Sequence, residues 1–143
     1  MRSERNKGGH AVVELALFIP WIYLLFVGAL DFGFYSYALI NVQNAVRAAA
    51  VNAGQYRALS SDQAEACRQV LGDLGKLPNA SAFGSGCSSG PLRVTVSSFT
   101  DSQAQLATRV QASYTTVQLL SIPGLVPSQI TVTRTAEMRV YGD

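Results

Sequence analysis

The chain has 143 residues, of which 48% are hydrophobic and only 14% are charged, whereas soluble domains average about 25% charged residues. This length accommodates one small domain together with a targeting or membrane segment. Because the net charge is only +2 and no lysine or arginine cluster alternates with aromatic residues, the composition excludes a basic groove for nucleic acid, and we expect no nucleic-acid partner.

An apolar segment near the N-terminus is long enough to span a membrane. Residues 11–30 supply the roughly 20 residues that a helix needs to cross the hydrocarbon core, with Glu14 near one end and Asp31 just beyond the other. Pro20 removes one backbone hydrogen bond and is expected to kink the helix. Two interpretations of Asp31 stay open: it marks the outer interface, or it pairs with a basic group of an assembly partner.

The charges that flank this segment predict its orientation. Arg2, Arg5 and Lys7 precede it, and the next basic residue is Arg47. Basic residues are retained on the cytoplasmic side of a membrane. We therefore expect a single-pass protein of the inner (cytoplasmic) membrane, with the N-terminus in the cytoplasm and the C-terminal part outside.

Helical periodicity continues beyond the apolar segment. Apolar residues recur at spacings of three and four, which predicts one amphipathic stripe. The stripe consists of Phe32, Tyr35, Leu39, Val42, Val46, Ala49 and Ala53. With Gly54 as a stop signal, the pattern predicts a single helix from Ala11 to about Ala53. A conventional signal peptide, which has an apolar core of about 7–15 residues, does not explain this continuation.

The remainder of the chain predicts a small mixed domain. Residues 60–77 read as a short helix, with Asp62 as its N-cap, Glu65 three positions later and Gly75 near its end. Residues 78–91 have loop composition. Alternating apolar and polar residues at 92–97, 109–115 and 130–140 predict three half-buried strands. Arg134 interrupts the apolar parity of the third, so we expect a bulge or an edge position there.

The helix stripe is the obvious cover for the inner face of these strands. The segment between the second and third strands, residues 118–127, is apolar and contains proline and glycine. It either folds over the sheet edge as core or forms an exposed contact with the next subunit or a tip partner.

The chain has two cysteines, Cys67 and Cys87, and one histidine, His10. In an exported domain the cysteines are expected to form a disulfide that closes a loop of about 20 residues and contributes roughly 3 kcal/mol; in a reducing compartment they are free thiols. One cytoplasmic histidine cannot complete a zinc site with them. Without a glycine-rich phosphate loop or an exported histidine for a Ser-His-Asp set, we expect no metal, no cofactor and no enzymatic activity.

A glycine and an acid flank the start of the apolar segment. Gly9 precedes His10, and Glu14 is the fifth residue counted from His10. This arrangement resembles the processing signal of type IV prepilins, in which a prepilin peptidase cuts after the glycine and the acid is retained. The resemblance implies cleavage between Gly9 and His10, with His10 a tolerated first mature residue and not a ligand.

Such a cut has a direct physical consequence for assembly. It removes the basic leader and creates an α-amine at the head of an apolar helix. Glu14 of a neighbouring subunit can pair with that amine, and the two charges become tolerable in an apolar bundle only when they are paired. We therefore expect Glu14 to favour assembly and to set its register.

The whole layout resembles the TadE-like family of pseudopilins from tight-adherence (Flp pilus, type IV) systems. Residues 8–54 carry Val-Glu-Leu, a proline in the apolar run, an acid and an aromatic before a glycine, and an alanine-rich helix. Residues 113–143 carry a strand, an apolar Pro/Gly loop and a threonine-rich strand that closes in Met-Arg. Major Flp pilins commonly have Glu-Tyr and a very short mature chain, whereas this chain has Glu14-Leu15 and about 134 residues after the cut. This difference favours a pseudopilin or minor pilin, and a principal filament subunit stays open as the alternative.

These features predict an α+β, pilin-like fold. A long N-terminal helix, transmembrane and then amphipathic, packs on a small antiparallel sheet of about three strands with one short extra helix. We assign residues 1–9 to a prepilin leader peptide, residues 10–56 to a membrane and assembly helix, and residues 57–143 to an exported α+β head.

The resemblance implies a structural subunit that is assembled through its N-terminal helix and serves adhesion or secretion. Its partners would be a prepilin peptidase, other pilin subunits, the inner-membrane assembly platform and the membrane. The alternative is an uncleaved signal anchor that carries an extracytoplasmic binding or adhesion module. That alternative explains the span and a disulfide, but it does not explain the spacing of Gly9 and Glu14.

Overall fold

The computed structural model describes residues 7–117 and 129–142, and the side chains of residues 11–117 and 129–142. The elements are two helices, α1 (Lys7–Ala53) and α2 (Gln63–Leu74), and three strands, β1 (Leu92–Thr100), β2 (Leu106–Thr115) and β3 (Thr131–Arg139). Short 3-10 turns lie at Arg57–Leu59 and Ala80–Ala82. The predicted α+β class is confirmed. The predicted loop at residues 118–127 lies outside the described residues.

Helix α1 belongs to two compact units. One unit extends up to Phe34, and the other, here called the head unit, runs from Tyr35 onward. The helix starts at Lys7, four residues before the expected start at Ala11, and ends at Ala53 as expected. Helix starts are the least certain boundaries to predict. Pro20 lies within the helix.

The sheet is a simple antiparallel meander in the order β1-β2-β3. Its pairing is continuous along both ladders, from Leu92↔Tyr114 through Thr100↔Leu106 and from Ala107↔Arg139 through Thr115↔Thr131. The bulge expected at Arg134 is therefore absent from β3, where Arg134 pairs with Ala112. The alternative expectation, an edge position, is correct because β3 is an outer strand. A long arginine stem can follow apolar surface, so Arg134 is accommodated without a bulge.

The core lies where the head-unit part of α1 meets the sheet and α2. The helix contributes mainly alanines and valines to it, and the strands contribute larger residues such as Leu92 and Tyr114. Its fully buried members include Ala38, Val42, Ala45, Val46, Ala49, Val70, Leu74, Leu92, Val94, Val110, Ala112 and Tyr114. Four members of the predicted stripe are buried, Tyr35 and Leu39 are half-buried, and Phe32 is 70% exposed.

Helix α2 begins at the predicted N-cap, since the Asp62 carboxylate accepts hydrogen bonds from the backbone N–H groups of Ala64 and Glu65 at 3.0 and 3.1 Å. Glu65 does not close a capping box with Asp62. Its carboxylate instead accepts from Asn52 Nδ2 of α1 at 3.2 Å and pairs with Arg68 at 2.6 Å. Glu65 therefore ties the short helix to the end of the long one.

The outer edge of β1 is covered by a side chain of α2. Gln63 donates from Nε2 to the carbonyl of Val94 and accepts at Oε1 from the backbone N–H of Val96, at 3.0 Å for the second contact. The amide thus satisfies one donor and one acceptor that an exposed edge strand would present to another chain. The next strand neighbour of β1 is in effect replaced by a single side chain.

Gly54 allows the end of β3 to lie against the end of α1. A Cβ at Gly54 would lie 2.8 Å from Met138 Cγ and 2.9 Å from the carbonyl oxygen of Arg139. The Gly54 carbonyl accepts from Tyr141 N at 3.0 Å. The glycine was predicted as a helix stop, and the structure adds a second reason for it, because any side chain would separate the helix from the strand.

Replacing Gly54 with alanine is expected to destabilise the head by about 1–3 kcal/mol, the usual cost of forcing atoms into a packed contact. Gly72→Ala is the matched control, because nothing lies within 4 Å of a Cβ there, and alanine in a helix gains up to about 1 kcal/mol over glycine. Thermal denaturation in detergent micelles measures both. Equal shifts for the two variants would contradict the close approach at Gly54.

Candidate functional site

The first part of α1 exposes apolar side chains on every face. All large hydrophobic residues between Val12 and Phe26 are exposed, with accessible fractions from 39% at Leu24 to 75% at Leu25. Consecutive positions on a helix point in different directions, so this is a cylinder and not a stripe. A helix that is apolar all round is buried in a large core or in a membrane, and the described head unit is too small to enclose this one.

The length and composition of α1 also meet the requirements of a membrane span. Within Ala11–Ala53 an 18-residue window has a mean hydropathy of 2.1, and only 6% of it is buried in the protein. Within the described ranges, one N-terminal apolar helix could therefore span a membrane, as the sequence predicted.

The residues predicted to act in processing and assembly lie along this same helix. Gly9 and His10 are in its first turns, and Glu14 is exposed one turn after His10. Asp31 is half-buried. At a rise of 1.5 Å per residue, Glu14 and Asp31 lie about 25 Å apart along the axis, close to the roughly 30 Å of a hydrocarbon core.

The cysteines form a disulfide within the head unit. Cys67 of α2 is bonded to Cys87, and both residues are almost fully buried. The bond fixes α2 to the loop that leads into β1. The Val94 N–H donates to the Cys87 carbonyl at 2.9 Å, so the loop is also attached to the strand. The head is thus fastened on the side where Gln63 covers the sheet edge.

A carboxylate organises the opposite end of the sheet. Asp101, in the turn between β1 and β2, accepts from the backbone N–H groups of Gln105 and Gln103 at 3.0 and 2.8 Å and from Arg139 Nε at 2.7 Å. The hydrogen bond from Gln105, the bond from Gln103 and the Arg139 guanidinium hold the pKa of Asp101 below its usual value. This arrangement joins the hairpin to β3 and has the character of a structural contact.

Two arginines line a groove between α1 and β3 that the sequence did not predict. Arg47 projects from the helix and Arg134 from the strand, with Gln43, Ala50 and Met138 between them. The signal present in the sequence was Arg134, which interrupts the alternation of apolar residues along β3. Among the described residues, no group of three or more histidine, cysteine, aspartate or glutamate side chains could hold a metal ion.

One region of the chain matches a known protein family. A family model described as TadE-like protein matches residues 9–51, which confirms the resemblance over most of α1. The match begins at Gly9 and includes Glu14, Pro20 and Asp31. The TadE-like family is associated with Tad pili.

Neither the curated proteins nor the solved structures give a match to this chain. The head beyond residue 51 is therefore understood from its own geometry.

Proposed function

We propose that this protein is a pilin-like subunit, a pseudopilin or minor pilin of a tight-adherence type IV pilus system. The observation that carries the proposal is the apolar helix exposed on all faces, matched by the TadE-like family from Gly9 and continuous with a helix packed into a folded head. A subunit of this kind binds its neighbours through the helix and presents the head outward. Such a filament functions in adhesion or secretion.

Processing is the first step of the proposal. A prepilin peptidase cuts between Gly9 and His10, which divides the chain into a leader of residues 1–9, a membrane and assembly helix of residues 10–56, and a head of residues 57–143. Before the cut, the N-terminal basic residues hold the leader in the cytoplasm and the head outside. After it, the subunit can leave the membrane and join a filament on the assembly platform.

Glu14 controls the second step, assembly. Its exposed carboxylate lies on an apolar helix surface, where an unpaired charge is unfavourable. A neighbouring subunit's new α-amine is the natural partner, because pairing removes both isolated charges. Pro20 adjusts the course of the helix, and Asp31 is a possible further contact with a basic group of a neighbour.

The intact mass and N-terminal sequence of the membrane-extracted protein test processing. With the peptidase we expect a chain that starts at His10, and without it the full precursor. Gly9→Val should block the cut. Gly8→Val, one residue further from the cleaved bond, should leave the cut unaffected. A wild-type chain that retains its leader with the peptidase present would contradict the proposal and favour a signal-anchored binding module.

Glu14→Gln tests the role of the acid in assembly. The variant should insert and be cleaved normally, but assembled material should fall by at least about tenfold, a change equivalent to about 1.4 kcal/mol. Glu4→Gln is the matched control, because residue 4 leaves with the leader. Sedimentation of sheared filaments and immunoblotting of the membrane fraction give the two quantities. Normal assembly of Glu14→Gln would contradict the register role.

A further inference from the structure

The two edges of the head sheet are not equivalent. The β1 edge lies beside α2, whose Gln63 occupies its backbone groups. On the opposite edge, β3 pairs only with β2 among the described strands. Next to it runs the groove between β3 and α1. One copy of the head therefore presents a helix on one side and a groove on the other.

Two arginines, Arg47 and Arg134, line this groove. Within the described part of the chain, neither Arg47 nor Arg134 forms an ion pair. Arg134 donates from Nη1 to the neighbouring Thr133 carbonyl at 3.1 Å, while its buried Nε has no hydrogen-bond partner among the described residues. Glu137, on the groove rim, is already bound to Arg109 at 2.7 Å. Two cations that line one groove, neither paired with a described carboxylate, favour a carboxylate from outside.

Among the described carboxylates of the head unit, one is free to fill this role. Asp62 caps α2, and Glu65, Asp101 and Glu137 each bind an arginine. Asp73, near the C-terminal end of α2, is exposed and has no hydrogen bond or ion pair with any other described residue. It also lies on the helix beside β1, across the sheet from the groove.

We propose that a second copy of this chain places its Asp73 carboxylate in the groove, between Arg47 and Arg134 of the first copy. Because the donor surface and the acceptor surface lie on opposite edges of the sheet, the contact is heterologous and leaves a free groove and a free Asp73 at the ends of every pair. Successive heads can therefore be joined in one direction, from groove to Asp73. This inference deepens the proposed function and rests on it, since it names the contact that heads make when subunits assemble.

Charge reversal in full-length, processed protein tests the contact. Arg134→Glu and Arg47→Glu should each reduce assembled filament by about tenfold, and Asp73→Arg should do the same. Combining Asp73→Arg with Arg47→Glu and Arg134→Glu reverses both sides of the contact and should recover most of the assembly. Arg93→Glu is the matched control, because Arg93 is exposed on β1 and outside the groove, and it should leave assembly unchanged.

Cross-linking gives a readout that does not depend on stability. Arg47→Lys keeps the charge and supplies an amine that a carbodiimide can couple to a carboxylate. Mass spectrometry should then find position 47 of one copy joined to Asp73 of another. Coupling to a different carboxylate, or no coupling in assembled material, would overturn the inference.

The outcomes separate this inference from the proposed function. If Glu14→Gln abolishes assembly while all three reversals assemble as the wild type does, the head contact is wrong and the proposed function stands. If the wild type is neither cleaved nor assembled with the peptidase present, both are wrong. The pairing is overturned if the single reversals lose assembly and the combined variant does not recover it. The disulfide and thermal unfolding of each variant show whether its head is folded, and a folded head does not change this conclusion.

Discussion

Tyr114→Ala is expected to cost the head about 3–5 kcal/mol of unfolding free energy, as large aromatic truncations in a core do. Tyr114 is completely buried in β2. Its ring meets Phe83 edge to face, with 6.0 Å between the centroids and an interplanar angle of 89°. Its hydroxyl donates to Asn79 Oδ1 at 2.7 Å. The truncation removes the ring from the place where the loop before β1 packs on the sheet.

Tyr114→Phe is the control that separates the ring from the hydroxyl. It keeps the aromatic contact and removes one hydrogen bond, so the expected loss is only about 1 kcal/mol. Urea denaturation of the full chain in micelles, followed by near-ultraviolet circular dichroism, measures both variants. Equal losses for the alanine and phenylalanine variants would show that the ring does not pack as described.

The hydroxyl also gives a pH-dependent signature. Burial raises the pKa of Tyr114 above 10.0, and the hydrogen bond to Asn79 opposes this shift only in part. A group whose pKa is higher in the folded state contributes stability below its unfolded pKa and loses it as the pH rises through the folded pKa. The wild type should therefore lose stability in the alkaline range by a component that Tyr114→Phe lacks.

Removal of the disulfide is the second large effect that we expect. Cys67 and Cys87 are 20 residues apart, and a cross-link that closes a loop of this length is worth roughly 3 kcal/mol in the chain-entropy model. The double variant Cys67→Ala/Cys87→Ala should unfold at a markedly lower temperature, by about 10 °C or more for a domain of this size. Thermal melts in micelles measure the difference.

The reductant provides the control for the disulfide prediction. Wild-type protein in reductant should melt near the temperature of the double variant, and the variant itself should not respond to reductant. A wild type that melts at the same temperature with and without reductant, after thiol titration shows full reduction, would contradict a stabilising role for the bond.

The sequence predicted the elements of this fold well because each has a strong local signal. Alternation located the three strands within a few residues, and the stripe that includes Val42, Val46 and Ala49 located the helix face that covers them. The Asp62 cap follows from side-chain chemistry within one turn. These features depend on neighbours in the sequence, so their periods and caps can be read without a structure.

The contacts that the sequence did not predict join residues far apart in the chain. Gln63 reads as an ordinary polar residue of a helix until β1 is beside it. Glu65 has the position of a capping-box acid, yet Asn52 and Arg68 bind it. Arg134 interrupts a pattern, but only the position of α1 shows that it shares a groove with Arg47.

The amide of Gln63 connects the redox state of the head to its risk of aggregation. Gln63 occupies the β1 edge only while α2 stays in place, and the Cys67–Cys87 bond is one of the attachments that keep it there. Reduced chains that lose this attachment would uncover an edge strand, a ready template for pairing with other unfolded chains. We therefore expect oxidation to do more than raise a melting temperature, because it also keeps the β1 edge covered.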